Sequence, residues 1–241
     1  MTLNLKGKTA LVTGGTKGIG EAIVRRLLSA GDNVALCARE TNRLHSTIQQ
    51  LRSDFAALPV KVDGKSADIS SESAVRALFE WLDAGLGGPD ILVNNAGVGI
   101  FKDLAAMSPL EWESVLGTNL TGVYNCCHHA LPRMRQRGGG WIINISSLAG
   151  KNAFAGGAAY NASKFGLGGM SEAIMLDHRY DGVRVSTILP GSVSTEFGSS
   201  GPADWKIAPE DVAETVAMVL GMPERTLISH VEIRPSKPPR K

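Results

Sequence analysis

Short apolar runs alternate with longer amphipathic stretches along the whole chain. Each apolar run is rich in β-branched residues and is flanked by glycine or polar turn residues, which is typical of a strand buried on both faces of a sheet. The amphipathic stretches between the runs predict helices, and repeated strand–helix units indicate a parallel sheet. We therefore predict an α/β protein with a doubly wound parallel sheet of about seven strands and helices on both faces.

The predicted strands lie near residues 9–13, 33–38, 60–67, 90–94, 140–146, 183–189 and 227–233. The predicted helices lie near residues 18–30, 41–53, 71–84, 109–135, 158–180 and 209–220. Ser108 and Pro109 mark one helix start, because a serine hydroxyl bonds free amides of the first turn and proline needs no amide partner there. No composition break, linker or internal repeat divides the sequence, so residues 1–241 are predicted to form a single domain.

The composition argues against several classes of protein. With 25 basic and 23 acidic side chains, the net charge is +2, too weak a field to indicate nucleic acid or a membrane surface as a partner. No stretch resembles a secretory signal or a membrane span of about 18 apolar residues. The 3 cysteines, with Cys126 and Cys127 adjacent, fit neither a disulfide framework nor a metal-ligand spacing. We expect a cytoplasmic protein without a metal.

The first candidate binding element is the glycine-rich segment TGGTKGIG at residues 13–20, which follows the first strand and opens the first helix. A dinucleotide pyrophosphate must approach the backbone closely and lie at a helix N-terminus, where free amides favour negative charge. Gly14, Gly18 and Gly20 permit that approach. The alternative is a tight strand-to-helix connection without a ligand, but the strand–turn–helix context favours a nucleotide phosphate.

Further motifs follow in order, and the set resembles the short-chain dehydrogenase/reductase family over nearly the whole chain. Their positions are Asp68-Ile69 after the third strand, Asn94 to Gly97 after the fourth, Asn119, Ser147, Tyr160 to Lys164, and Pro190-Gly191 with Thr195. The resemblance is to the NADP-preferring type, including bacterial carbonyl reductases and 3-oxoacyl-[acyl-carrier-protein] reductases. It implies a Rossmann-like domain with oxidoreductase activity on a CH–OH group.

Acid–base chemistry is predicted for Tyr160 and Lys164, which are four residues apart on one face of a predicted helix. A nearby ammonium and a cationic nicotinamide would both lower the pKa of tyrosine from its ordinary value of about 10. Tyr160 would then exchange the proton while Ser147, at a strand end, holds the substrate oxygen. The resemblance implies that Lys164 also binds the nicotinamide ribose and that Asn119 positions a water between Lys164 and solvent. Singly, these residues could be a surface pair, a helix cap and a polar helix residue.

The end of the second strand bears on the choice of cofactor. Arg39 can form a charge-assisted fork on the extra phosphate of NADP, and Lys17 can add a second cation. NADP(H) is therefore preferred, although NAD(H) is possible if Glu40 accepts a ribose hydroxyl. The full predicted set of cofactor contacts is Gly14, Thr16, Lys17, Gly18, Ile19, Gly20, Arg39, Asp68, Ile69, Asn95, Ala96, Gly97, Tyr160, Lys164, Pro190, Gly191, Val193 and Thr195.

The leading hypothesis is an NADPH-dependent carbonyl reductase acting reversibly on small carbonyl or secondary alcohol substrates. The alternatives are a 3-oxoacyl-[acyl-carrier-protein] reductase and a non-catalytic nucleotide-binding scaffold or sensor. Residues 195–208 are predicted to form a short flexible lid in which Phe197 and Trp205 could cover an apolar substrate. The C-terminal Ser229 to Pro235 replaces the Val-Asp-Gly-Gly turn of many carrier-dependent relatives, which weakens the carrier hypothesis.

Arg133, Arg135 and Arg137 could dock an acidic carrier protein, although solvated loop charges are the preferred interpretation. His128 and His129 follow the cysteine pair on one helix, where consecutive positions face apart and suit packing or a subunit interface better than a metal.

Two helices and an edge strand predict self-association into a homotetramer, with a dimer as the fallback. The apolar residues predicted to form the helical interface are Leu116, Leu120, Val123, Cys126, Cys127, Phe165, Leu167, Met170 and Ile174, with close approach at Gly166, Gly168 and Gly169.

Overall fold

A computed structural model describes residues 5–197 and 201–239. Its strands are β1 (Thr9–Thr13), β2 (Asn33–Ala38), β3 (Val62–Ser66), β4 (Ile91–Asn94), β5 (Gly140–Ile145), β6 (Val183–Pro190) and β7 (His230–Ile233). Its helices are α1 (Gly18–Ser29), α2 (Thr41–Asp54), α3 (Glu72–Leu86), α4 (Pro109–Leu116), α5 (Gly122–Gln136), α6 (Ala158–His178) and α7 (Pro209–Leu220).

All seven strands lie in one parallel sheet in the order β3-β2-β1-β4-β5-β6-β7. Successive residues of β1 face opposite sides of this sheet and are buried on both. Ala10 and Val12 pack toward α1 and α7, whereas Leu11 packs toward α3 and α5. The prediction of a parallel sheet covered on both faces is confirmed.

The strand order reverses between β1 and β4, which are hydrogen-bonded neighbours although two strands separate them in the sequence. The connections leaving these two strands diverge to opposite sides, and in open parallel sheets the crevice beyond such a point is where ligands bind. The glycine-rich turn follows β1 and the segment Asn95 to Gly97 follows β4. The fold therefore brings both predicted cofactor segments to one place.

The predicted helix at 109–135 is interrupted, which corrects the sequence interpretation. It consists of α4, a π-helical turn at Gly117–Thr121, and α5. The predicted start of α4 is confirmed, because the Ser108 side chain accepts from the Glu111 amide and Glu111 accepts in return from the Ser108 amide. The amphipathic pattern carried no signal for the π turn.

Three other elements are shorter than predicted by two residues or more. The Val60 amide donates to the Leu58 carbonyl in a turn, so β3 begins only at Val62. The edge strand β7 begins at His230 rather than 227, and α6 ends at His178 before a short 3₁₀ turn. Within the described residues, no helix is both long and apolar enough to cross a membrane.

Candidate active site

The predicted catalytic side chains meet beyond the carboxyl ends of β4 and β5. Ser147 follows β5 and caps a 3₁₀ turn, with its hydroxyl oxygen accepting from the Ala149 amide at 3.1 Å. Tyr160 and Lys164 lie on consecutive turns of α6, and both are buried. Asn119 lies in the π-helical turn and is fully buried. The structure therefore brings together all four predicted catalytic residues.

Lys164 holds its ammonium group in a buried position beneath Tyr160. Its Nζ donates to the Ile145 carbonyl at 3.0 Å and lies 5.7 Å from the centre of the Tyr160 ring. Burial lowers the pKa of Lys164 to about 8, because removal from water penalises the charged form. Lys164 can therefore change its charge close to neutral pH.

The expected lowering of the Tyr160 pKa is not what the structure shows. Burial is the largest influence and raises the pKa of Tyr160, while interaction with the Ser147 side chain lowers it by a smaller amount. The Lys164 ammonium, expected to be the main cause of a shift, is directed to a main-chain carbonyl instead of the phenol. Tyr160 is thus held as a neutral phenol, the form that can donate a proton.

Asn119 binds main chain through both ends of its amide. Its Oδ1 accepts from the Val98 amide at 2.8 Å, and its Nδ2 donates to the Val98 carbonyl at 2.9 Å. The same Nδ2 lies 3.1 Å from the Ser163 hydroxyl, which donates to the Tyr160 carbonyl. Ser163 therefore ties the π turn to α6. Sequence reasoning assigned no role to Ser163, although its place between Tyr160 and Lys164 was a usable signal.

Asn161 is a second residue that sequence reasoning missed. Its side chain is buried and donates to the Ala149 carbonyl at 2.6 Å, while its Oδ1 accepts from the Phe154 amide at 3.4 Å. It thereby fixes the loop that carries Ser147 against the helix that carries Tyr160.

The segment after β4 holds the glycine-rich turn in place through hydrogen bonds. The Asn95 side chain donates to the carbonyls of Thr13 and Gly14 at 3.0 and 3.1 Å. The Thr13 hydroxyl accepts from the amides of Asn95 and Ala96. A Cβ on Gly20 would lie 2.1 Å from the Gly14 carbonyl oxygen, so only glycine fits there. Asn95 therefore uses its amide nitrogen to shape the turn.

The N-terminus of α1 fits a pyrophosphate. Lys17 occupies the N-cap position without a capping side-chain hydrogen bond, so first-turn amides face the crevice without an internal acceptor. Gly18 has a φ of +52°, and a Cβ there would lie 3.2 Å from the Thr195 side chain. Thr195, predicted from a motif far along the chain, thus lies beside the turn.

Arg39 follows β2 at the same edge and its side chain is exposed. In residues 5–197 and 201–239 its guanidinium has no hydrogen bond or ion pair, and only its carbonyl is engaged, by the Ser66 hydroxyl. Lys17 forms a long, exposed ion pair of 3.5 Å with Glu196. Glu40 is the N-cap residue of α2 and makes no side-chain capping bond.

The remaining predicted cofactor residues differ in what they can offer. The Asp68 carboxylate accepts from the amide and hydroxyl of Ser70, and the Ile69 carbonyl accepts from the buried side chain of Asn125, which sequence reasoning missed. Three further side chains pack in the hydrophobic core or against it, namely Ile19, Ile69 and Val193. These residues therefore have only their main chain to offer a ligand. The Gly191 amide, after Pro190, donates to the Ile233 carbonyl.

Phe197 of the predicted lid lies against the Tyr160 ring, with ring centres 5.9 Å apart. Two further phenylalanines, Phe101 and Phe154, extend this cluster, and sequence reasoning missed both. Trp205 instead has the Lys206 ammonium over its ring at 5.8 Å. The middle of the predicted lid, residues 198–200, lies outside the described part of the chain.

Comparison with known proteins shows the family of this chain. Residues 8–204 match the family described as short chain dehydrogenase. The chain belongs to the short-chain dehydrogenases. It is similar to a 3alpha-hydroxysteroid dehydrogenase of Mediterraneibacter gnavus, with 32% identity. That alignment covers 84% of this chain and 80% of the relative. It is 35% identical over 82% of its length to 78% of the 3-oxoacyl-[acyl-carrier-protein] reductase FabG of Aquifex aeolicus.

The fold is also similar to a crystal structure of a metagenomic short-chain oxidoreductase in complex with NADP. That match has 37% identity and a TM-score of 0.85, and it covers 97% of this chain and 99% of the other. The predicted family and fold are confirmed.

The basic cluster of this short-chain dehydrogenase is already paired within the chain. Arg133 forms a two-pronged contact with Asp83, with distances from 2.6 to 3.0 Å. Arg135 pairs with Asp181 at 2.9 Å, and Arg137 pairs with Asp90 at 3.0 Å. Two of these arginines lie in the last turn of α5 rather than in a loop. Arg135 and Arg137 are nevertheless exposed to solvent, as expected of solvated charges, and docking of an acidic carrier stays a prediction.

The cysteine pair is buried, whereas His129 is half-buried and His128 is exposed. All three cysteines are buried, and burial raises the pKa of the Cys37 and Cys127 thiols to about 12. His129 contacts Glu72 at 3.1 Å, and His128 stacks on Tyr124. Among the described residues, no group of three histidine, cysteine or acidic side chains is arranged to hold a metal ion.

Proposed function

We propose that this short-chain dehydrogenase is an NADPH-dependent carbonyl reductase that also oxidises the corresponding secondary alcohols. The observation that carries the proposal is the convergence of Ser147, Tyr160 and Lys164 beside the glycine-rich turn, at the edge of the sheet where Arg39 also lies. A hydride acceptor needs an acid where negative charge develops and a donor that holds the oxygen. These residues supply both.

Three side chains of the protein have separate roles in the proton transfer. When bound, the nicotinamide supplies the hydride in reduction and accepts it in oxidation. The Ser147 oxygen accepts from the Ala149 amide and its hydroxyl lies within hydrogen-bond reach of Tyr160, so its O–H can donate to a substrate oxygen held beside Tyr160. Tyr160, kept neutral by burial, donates its proton to the forming alkoxide and takes it back in oxidation. The buried Lys164 ammonium stabilises the phenolate that remains.

The preference for NADPH rests on charge. Arg39 is exposed at the end of β2 and carries a guanidinium without an internal partner in the described residues. Lys17, on the neighbouring turn, is held only by an exposed pair that contributes little stability. Both cations suit a phosphate on the adenosine ribose, and the metagenomic relative was crystallised with NADP.

The physiological substrate is proposed to be a small molecule rather than a carrier-bound chain. The two curated relatives named above differ in substrate, a hydroxysteroid and a carrier-linked oxoacyl group, so similarity alone favours neither. Each arginine of the cluster before Gly138 is paired with an aspartate of the chain. An acidic carrier would have to displace these carboxylates before docking there.

The test of this function is Tyr160→Phe, assayed by NADPH oxidation with a panel of ketones and aldehydes. Removing the transferable proton is expected to lower kcat by at least about 100-fold. NADPH affinity is expected to stay within about 3-fold, because the ring and pocket remain. Tyr180→Phe, at an exposed tyrosine just beyond α6, is the matched control and should keep full activity. Near-normal turnover in Tyr160→Phe would refute the mechanism.

We also propose a cytoplasmic homotetramer, with a dimer as the alternative, but the interface differs from the predicted set. Val123, Cys126, Cys127 and Leu167 pack inside the hydrophobic core, so they add nothing to a free surface. The prediction that they form exposed apolar surface was wrong, because α5 and α6 turn these side chains toward the sheet. Of the predicted residues, Phe165 is exposed on α6, and Tyr124, which was not predicted, is exposed on α5, so both support an interface.

Light scattering at micromolar concentration measures the assembly directly. A homotetramer gives four times the chain mass of 25.4 kDa, and Phe165→Asp is expected to shift the mass downward because a charge is placed in the contact. A wild-type mass of 25.4 kDa with full activity would contradict both the tetramer and the dimer.

A further inference from the structure

Three phenylalanines form an aromatic cluster around Tyr160, and each comes from a different loop at the carboxyl edge of the sheet. Phe101 follows β4, Phe154 follows β5 and Phe197 follows β6. They are 42%, 45% and 44% exposed, whereas Tyr160 is only 8% exposed. Exposed apolar surface gathered around one reactive group marks a contact surface for a ligand.

Phe101 is the centre of this aromatic cluster. Its ring lies 5.4 Å from the Tyr160 ring, nearly perpendicular at 78°. It also lies 5.7 Å from the Phe154 ring and 6.5 Å from the Phe197 ring. A Cβ at Gly99 would lie 2.7 Å from Phe101 and 2.9 Å from Phe197, so the glycine leaves room for both rings. Edge-to-face contacts of this kind favour a further ring as their partner.

The cations beside Phe101 and Phe154 are neutralised within the chain. Lys102, next to Phe101, pairs with Glu111 at 2.5 Å, and Lys151, near Phe154, pairs with Glu232. The Lys102 amide donates to the Gly156 carbonyl at 2.9 Å and joins the loops that carry Phe101 and Phe154. A ligand carboxylate or phosphate would therefore compete with carboxylates already in place, whereas an uncharged ring meets exposed phenyl faces.

We propose that the aromatic cluster is the specificity surface of this enzyme and that it selects uncharged ketones bearing an aromatic ring next to the carbonyl, together with the corresponding secondary alcohols. Phe101 is the main specificity-determining residue, since it touches Tyr160 and both other rings. The inference rests on the proposed function. A substrate ring seated among these phenyl groups covers their exposed faces and leaves its carbonyl oxygen beside Tyr160 and Ser147.

The experiment compares acetophenone with 2-butanone, which keeps the methyl ketone but lacks the aromatic ring. We expect Phe101→Ala to lower kcat/KM for acetophenone by about 10-fold or more, the size expected for a lost ring contact with its burial. For 2-butanone, kcat/KM should fall by a smaller factor, because only the effect of the lost ring on Tyr160 remains, so the ratio of the two changes. Comparing ratios between variants cancels the intrinsic reactivity of each ketone.

Two further variants separate stacking from folding. Phe101→Leu keeps an apolar side chain without the ring and should reduce the acetophenone ratio by a smaller factor, while Tyr180→Ala, at an exposed ring outside the cluster, should leave it unchanged. Circular dichroism checks that each variant folds. Equal losses for both ketones in the folded Phe101→Ala and Phe101→Leu variants would overturn the specificity role.

A binding measurement keeps this inference separate from the proposed function. Saturation-transfer NMR with acetophenone and the NADP⁺-loaded protein is expected to show contact in wild type and a weakening of about 10-fold in Phe101→Ala. If wild type turns over no ketone with NADPH, the proposed function fails, and this measurement still decides the ligand class. Acetophenone binding that is absent in wild type, or unchanged in Phe101→Ala, would contradict the aromatic specificity.

Discussion

The two ends of the sheet each bury a charged residue in different surroundings. At the carboxyl end, Lys164 donates to the Ile145 carbonyl and lies beneath Tyr160. At the amino end, the Asp32 side chain precedes β2 and has no hydrogen-bond partner in the described residues. Burial moves the pKa of both groups to about 8, downward for Lys164 and upward for Asp32.

The difference between these ends shows that a shifted pKa does not by itself make a site. Lys164 shares its surroundings with Tyr160, Ser147 and the glycine-rich turn. Asp32 has Asp90 and Lys8 as its charged neighbours, and Asp90 is already held by the Thr9 amide and Arg137. Perturbed groups indicate chemistry where reactive partners converge. We therefore expect changes at the carboxyl end to alter binding and turnover, and changes at the amino end to alter stability.

The largest effect is expected from Gly20→Ala at the carboxyl end. The new Cβ would lie 2.1 Å from the Gly14 carbonyl oxygen, so the turn must shift at a cost of about 3 kcal/mol or more. NADPH binding, followed by fluorescence titration, should weaken by at least about 100-fold because the first-turn amides move.

Gly85→Ala is the matched control, since a Cβ at this exposed helical position meets nothing within 4 Å. It is expected to stabilise the protein by about 0.5–1 kcal/mol and to leave NADPH affinity unchanged. If Gly20→Ala has the melting temperature and NADPH affinity of wild type, the glycine-rich turn is not fixed by the contact between Gly20 and Gly14.

A smaller loss is expected from Arg39→Ala, also at the carboxyl end. Removing a charge-assisted contact should weaken NADPH by about 1.5–3 kcal/mol and leave NADH within a few-fold. Titration with both cofactors measures the difference, and Arg43→Ala, at a nearby half-buried arginine on α2, serves as the control. Equal losses for NADPH and NADH, or a wild-type preference for NADH, would show that Arg39 does not recognise the extra phosphate.

The smallest effect on binding and turnover is expected from Asp32→Asn at the amino end. The folded pKa of Asp32, about 8, lies above its ordinary value of 3.8, so folding takes up a proton between these values and stability falls as pH rises. The asparagine amide cannot ionise. The free energy of unfolding of the variant, relative to that of wild type, should therefore rise by about 1 kcal/mol for each pH unit between pH 5 and 7. Urea unfolding measures this gain, and kcat should not change. A pH-independent difference would show that Asp32 is ionised in the folded protein.

Features fixed by the main chain were predictable from the sequence. The strands were located because each is apolar throughout, and the glycine-rich turn was located because close backbone approach restricts residues 14, 18 and 20 to glycine. The four predicted catalytic residues, which the structure brings together, were chosen through family motifs in a fixed order. Each motif lies within a few consecutive residues and their order is visible along the sequence, so no long-range contact was needed to find them.

Features built by side chains from distant segments were not predictable. The π turn accompanies a bond between Asn119 and the main chain of Val98, 21 positions away, and nothing in the helical pattern indicates it. Phe101 and Phe154 join Phe197 only after three loops meet. The rise in the Tyr160 pKa depends on burial by these neighbours, which cannot be derived from the spacing of Tyr160 and Lys164.

The π-helical turn at Gly117–Thr121 has a consequence for protein engineering. A helix advances by about 100° per residue, so the additional residue of a π turn rotates everything after it by about that angle. On α5 this rotation points Val123, Ala130 and Met134 into the core. Converting this turn to a regular α-helix without removing a residue would rotate these side chains by about that angle, away from their places in the core. Redesigned or recombined versions of this enzyme must therefore keep the π turn, or remove one residue together with it, so that α5 presents the same face to the sheet.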